Sequence, residues 1–168
     1  MNRTTLKAVV LLAVAALAVI ATGGTAEAAN AKGKGKSQRV SIDVQAALLT
    51  QEGNVGTLAG VGQHKIGKTS GQGGLVYKRT QISPTEEQPV GTYYTDDGAI
   101  SGVGAIDIVL PENPSDPVTY TGTLKISKGT GIYKGAHGTL DTFGAATDTT
   151  LSQVDIHIRG KLRYGGPR

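Results

Sequence analysis

Between positions 40 and 164 the apolar residues fall on alternate positions in run after run, and this period of two constrains the chain more than any other feature. A strand with one buried face needs that alternation, whereas a helix needs apolar residues three and four apart. Val40, Ile42, Val44, Ala46 and Leu48 alternate with Ser41, Asp43 and Gln45. Residues 45–52 also suit a helical turn, so the end of this first run stays open between the two. Further runs cover 55–66, 74–82, 90–95, 98–110, 118–127, 139–146 and 152–164, giving eight strands in all. Loops are expected at 83–89 and 111–117, where prolines cluster, and a hairpin at Asp96-Asp97-Gly98, since an Asp-Gly pair supplies the positive φ of a tight turn.

Many short strands with regular turn signals imply one all-β domain, either a sandwich or a barrel. Closure is the more economical of the two, because it leaves no edge strand to pair with other chains. The expectation is therefore a single eight-stranded antiparallel β-barrel over 40–165. Glycine supports it: 25 of 168 residues are Gly, about twice the usual share of roughly 7%. Gly60, Gly102, Gly104, Gly122 and Gly160 lie inside strand runs, where glycine marks tight bends. The chain has no cysteine, which excludes disulfides, thiolate metal sites and a cysteine nucleophile.

The first segment is of another kind. Arg3 and Lys7 precede an uncharged apolar run from Ala8 to Ala21, and Ala26-Glu27-Ala28 follows. That order is a signal peptide with its cleavage motif, and the run is too short for the roughly 20 residues of a membrane-spanning helix. Cleavage is expected between Ala28 and Ala29, leaving a secreted protein with no membrane attachment. Residues 29–39 form a basic lead with Lys32, Lys34, Lys36 and Arg39, expected to be flexible and solvated. From Val40 onward 11 basic residues face 12 acidic ones, so the positive excess belongs to the chain ends. With no interleaved aromatics in the lead, nucleic acid is not an expected partner.

Two glycine motifs invite functional readings. Residues 62–69 satisfy the G-x-x-x-x-G-K-[ST] pattern of a phosphate-binding loop, but that loop must open a helix, and Ser70-Gly71-Gln72-Gly73-Gly74 cannot hold one. A hairpin turn is the better reading. The stretch 124–140 contains Gly129-Thr130-Gly131-Ile132-Tyr133-Lys134-Gly135-Ala136-His137-Gly138. It resembles the strand, Gly-Thr-Gly turn and Gly-Ala-x-Gly strand entry of the allene oxide cyclase-like barrels, a superfamily that includes the dirigent proteins and secreted bacterial members. The resemblance spans roughly 119–142. It implies an eight-stranded barrel, dimers or trimers, and a structural role for Gly129, Gly131, Tyr133, Gly135 and Gly138, with Tyr133 plugging the barrel end. Position 137 is His where dirigent sequences usually have Arg.

The ionisable residues give candidates rather than a signature. His64, His137 and His157 lack the spacing of a metal site, and no G-x-S-x-G elbow is present; no metal or cofactor is implied. Asp155, His157 and Arg159 share one face of the last strand, which is either a relay inside the barrel or a solvated outer surface. Asp107 interrupts an apolar run and Asp43 occupies a comparable place, so each is either a buried acid of raised pKa or a paired carboxylate. Tyr77 and Tyr94, with Tyr93 and Tyr120, either line a pocket or cap a small core. Asp43, Tyr77, Tyr94 and Asp107 are the candidate ligand-binding residues. Two functions follow: a secreted barrel with a binding or structural role for a small hydrophobic ligand, or, as the resemblance implies, a dirigent-like or cyclase/isomerase-type protein steering ring closure or coupling inside the barrel.

Overall fold

A computed structural model describes residues 35–113, 116–147 and 152–165. The proposed signal peptide, the Ala28–Ala29 junction and most of the basic lead lie outside the described residues. Eight strands run in chain order: β1 (Ser37–Glu52), β2 (Val55–Ile66), β3 (Thr69–Ser83), β4 (Glu86–Thr95), β5 (Gly98–Val109), β6 (Val118–Gly129), β7 (Gly138–Ala146) and β8 (Gln153–Arg163). Each pairs antiparallel with the next, and β1 pairs with β8 from Ser37↔Arg163 to Ala47↔Gln153, closing the barrel.

The alternation in the sequence becomes an inside and an outside. Val40, Ile42, Val44 and Ala46 of β1 and Val154, Ile156, Ile158 and Leu162 of β8 are buried in the interior, and the residues between them face out. Strand β1 continues to Glu52 as a strand and not a helical turn. Its alternation blurs at Leu48-Leu49-Thr50 because the register with β2 shifts between Leu48 and Thr50, where one inserted residue bends the strand. It also begins at Ser37, so Ser37, Gln38 and Arg39 of the basic lead already belong to the ladder.

The other boundary differences have equally local causes. Strand β3 starts at Thr69, because Gly71, Gly73 and Gly74 pair with β2 and β4 although they carry no apolar signal. The expected 83–89 loop shrinks to a turn, since β4 starts at Glu86. Proline is tolerated there because the β4–β5 ladder has no pair at Gln88 or Pro89, which spares the N–H that proline lacks. Gly67 takes φ +64° in the turn from β2 to β3, and Thr69 Oγ1 donates to the Ile66 carbonyl at 2.9 Å. The phosphate-loop-like motif is thus a hairpin turn, with strand and not helix after Lys68.

One barrel end is filled. A short 3-10 turn, Gly131–Tyr133, lies between β6 and β7. Gly131 has φ +56°, and a Cβ there would fall 2.0 Å from the Asp97 carbonyl oxygen. That turn carries the Tyr133 ring into the barrel end, fully buried, where it meets Tyr164 edge to face with centroids 5.4 Å apart. Ile66 and Leu162, both wholly buried, complete the seal.

Candidate functional site

Inside the barrel an apolar cavity remains, walled by Leu75, Ile100, Ile106, Ile126, Leu140 and Ile158 among others. It exists because inward positions on β4 and β5 are occupied by Gly91 and Gly102, which line the space without filling it. About 80 Å³ is open to the centres of water-sized atoms. A single water needs roughly 10–15 Å³ on that scale and takes about 30 Å³ of liquid. The lumen therefore suits a molecule of on the order of 200 Å³, one or two rings.

Polar groups enter the wall at few places. Tyr77 (β3), Tyr93 (β4), Tyr120 (β6), Thr142 (β7) and Glu87 (β4) reach the cavity. Among the described residues Glu87 is the only charged side chain in the wall, and it pairs with Arg79 of β3, whose Nη1 is 3.3 Å from Glu87 Oε2. Both side chains are 8% exposed, and Arg79 Nη2 also donates to Gln51 Oε1 at 3.2 Å. Burial raises the Glu87 pKa above the ordinary carboxylate value, against the pull of the Arg79 charge and hydrogen bond. Burial likewise raises the Tyr77 and Tyr120 phenols, with the Glu87 charge adding to both. Tyr93 is pushed up to about 12, again chiefly by burial.

These groups are held by specific contacts. The Tyr120 hydroxyl crosses over Gly144 to donate to the Asp155 carbonyl at 2.7 Å. The Tyr93 hydroxyl lies 3.3 Å from His64 Nδ1. Burial lowers the His64 pKa, while Asp97 and Asp96 act the other way. The arrangement is a hydrophobic chamber with neutral phenols and one carboxyl of raised proton affinity. Among the described residues no three His, Asp or Glu side chains gather as metal ligands.

Of the four candidate ligand-binding residues, the structure brings only Tyr77 to the cavity. Tyr94 follows the inward-facing Tyr93 and so faces outward, half-buried. Asp107 is exposed on the outer face of β5, because Ile106 and Ile108 take the inward positions. Asp43 is outside for the same reason, between the buried Ile42 and Val44. Its Oδ1 lies 2.5 Å from both His157 Nδ1 and Arg159 Nη2. Burial would raise the Asp43 pKa, but the hydrogen bonds from His157 and Arg159 and their charges outweigh it and hold it low. The polar face of the last strand is therefore the outer one, and its partner is Asp43.

Glu87 and Arg79 were not singled out in the sequence. Glu87 sat in the segment expected to be a loop, although Glu87, Pro89, Gly91 and Tyr93 keep a common parity that places it inside.

Among solved structures, the pterocarpan synthase dirigent protein GePTS1 is similar to this chain, with a TM-score of 0.55 over 86% of this chain and 98% of that one. The barrel is dirigent-like. At 13% identity the likeness is one of fold, and fold alone does not carry chemistry from one barrel to another. No protein-family model matches the chain, and no curated protein does. The function of this dirigent-like barrel has to be argued from its own lumen.

Proposed function

We propose that this protein is exported by residues 1–28 and holds a small, largely apolar molecule of one or two rings in its lumen, oriented by one polar group against Glu87. The observation that carries the reading is an apolar chamber with, among the described residues, a single charged side chain in its wall. Such a site gains affinity from burial of apolar surface and orientation from a few placed polar groups. The wider kinship with allene oxide cyclase barrels, and assembly into dimers or trimers, belong to this reading as well.

A second reading, steering of ring closure, is favoured by the state of Glu87. A carboxyl of raised pKa can donate its proton to a leaving hydroxyl, which departs as water as its C–O bond breaks, and take back the proton released when a second hydroxyl of the same molecule forms the new C–O bond of the ring. The chamber walls would hold the intermediate in the folded shape that closes. The similar barrel GePTS1 is named as a pterocarpan synthase, and this supports a ring-forming role without specifying the substrate.

The test uses 2-naphthol, which has two rings and one hydroxyl, with naphthalene as its apolar control. Both are titrated by their own fluorescence into the folded protein. Binding of 2-naphthol is expected, weakened about tenfold by Glu87→Gln through loss of one charge-assisted hydrogen bond. Naphthalene affinity should change little in that variant. Val154→Phe, which extends a wall residue into the chamber, should abolish both. A folded protein that takes up neither probe at millimolar concentration ends the proposal.

A further inference from the structure

Read along the chain, the charges from Val40 onward nearly balance, yet the barrel sorts them in space. Closure lays β1 beside β8 and sets Arg39 directly opposite Lys161. One step further toward the same end Ser37 faces Arg163, and one step back Ser41 is flanked by Lys65 on β2 and Arg159 on β8. All of these face outward, since the intervening Val40, Ile42, Ile66, Ile158 and Leu162 are buried. Neighbouring strands are roughly 4.8 Å apart and alternate residues nearly 7 Å, so the cations form one continuous band, with Lys36 leading into it. The two chain ends, each modestly basic, thus add up to one basic face.

That band carries an internal cost. Like charges directly across a ladder destabilise it, and among the described residues Arg39, Lys65, Lys161 and Arg163 have no ion-pair partner; only Arg159 has one, in Asp43. The acidic turn residues Glu52, Glu86 and Glu112 lie at the opposite end of the barrel. On the band's own side Asp141 of β7 stands opposite Arg159, and Asp96 and Asp97 occupy the β4–β5 turn at the same barrel end. Among the described residues none of the three forms an ion pair with the band, so Arg39, Lys65, Lys161 and Arg163 stay open to an outside counter-charge.

We propose that this β1–β8 face docks a linear acidic polysaccharide, with carboxylates against Arg39, Lys161 and Arg163 and sugar rings against Phe143 and Asp43. Guanidinium forks match carboxylates two bonds at a time. At the border of the band Phe143 is 43% exposed, and its ring rests on His157 at a centroid distance of 5.2 Å. An exposed aromatic face accepts the C–H face of a sugar, and the Asp43 carboxylate beside it accepts hydroxyl hydrogens. The face offers no helix to enter a DNA groove and no row of aromatics on which single-stranded bases would stack. Uronate polymers therefore fit it better than nucleic acid does.

The experiment measures binding of the protein to immobilised polygalacturonate at about 50 mM and about 200 mM salt, with duplex DNA and neutral dextran as comparisons. We expect binding to polygalacturonate, at least about tenfold weaker at the higher salt, and none to dextran. Arg39→Gln/Lys161→Gln should weaken it about tenfold at low salt, while Lys78→Gln/Lys128→Gln, an equal charge change elsewhere, should change it less than about twofold. The thermal midpoint of the Arg39→Gln/Lys161→Gln variant should match or exceed that of the parent, since a like-charge contact is gone, so lost binding is not lost folding. Absence of binding at low salt, equal effects of the two double variants, or DNA bound at least as tightly as polygalacturonate would each overturn the proposal.

Discussion

Glu87 and Asp43 are the two carboxylates whose surroundings move them most clearly, and they move in opposite directions. The folded state holds the Glu87 proton more firmly than the unfolded chain does. Its contribution is therefore full below the ordinary value of 4.5 and is lost as pH rises through the raised one. Asp43 behaves the other way: its contribution is present above 3.8 and is lost as pH falls through the lowered value. Exposure of nearly half the Asp43 side chain makes that second effect small. Glu87→Gln should remove the decline in urea stability above about pH 4.5. At neutral pH the variant should match or exceed the parent in stability, because the amide still hydrogen-bonds Arg79 without burying a negative charge. Arg79→Met should cost about 3 kcal/mol, because Glu87 is left buried without its cation, and Arg79→Met/Glu87→Leu should cost less, since no charge is then left in the wall. Additive losses in the double variant would show that the pair is not coupled as described.

At the scale of the strand, glycines set how closely neighbours approach and which rings can lie flat against the wall. Gly144 of β7 is the sharpest case: a Cβ there would fall 1.8 Å from the Asp155 carbonyl oxygen and 2.5 Å from the Tyr120 hydroxyl. Gly74 of β3 is the contrast, with nothing nearer to such a Cβ than the Gly60 carbonyl at 3.8 Å. Gly144→Ala should therefore cost about 3 kcal/mol as overpacking, and Gly74→Ala should stay within about 0.5 kcal/mol of the parent. Urea midpoints of the two variants compare them directly. The same strands show what the sequence made legible. Alternation and turn chemistry are local, so eight strands and their order could be read from Val40, Ile42 and Val44 or from Asp96-Asp97-Gly98. The alternation also carries the correct side for Asp43 and Asp107, yet an acid within an apolar run reads equally as a buried group or a paired carboxylate until its neighbours on the next strand are known. Glu87 was hidden because Pro84 and Pro89 suggested a loop, and only the unpaired positions of the β4–β5 ladder show why a strand survives there. Cavity, ion pair and basic face depend on which strands become neighbours, and this information is not local.

For the molecule as a whole, the decisive contact is the one between the first and last strands. Ile42 meets Ile158 and Val44 meets Ile156 across a ladder that joins opposite ends of the chain, while β8 pairs on its other side with β7 from Leu140↔Gly160 to Ala146↔Val154. Strand β8 supplies Val154, Ile156, Ile158 and Leu162 to the interior, all at 6% exposure or less. At roughly 2 kcal/mol for each buried aliphatic side chain, this strand carries on the order of 8 kcal/mol, comparable with the roughly 5–15 kcal/mol that a whole domain retains. Its removal also bares the edges of β1 and β7, and unpaired edges recruit other chains. A chain ending at Ser152 is therefore expected to lack a cooperative thermal transition and to elute from gel filtration as aggregate. Supplying residues 153–165 as a separate peptide should restore a soluble barrel, because the slot it fills has apolar inner positions and a free ladder on both sides. If the truncated chain were instead monomeric and melted cooperatively, the open sheet would be stable alone, and closure would not be what holds the cavity.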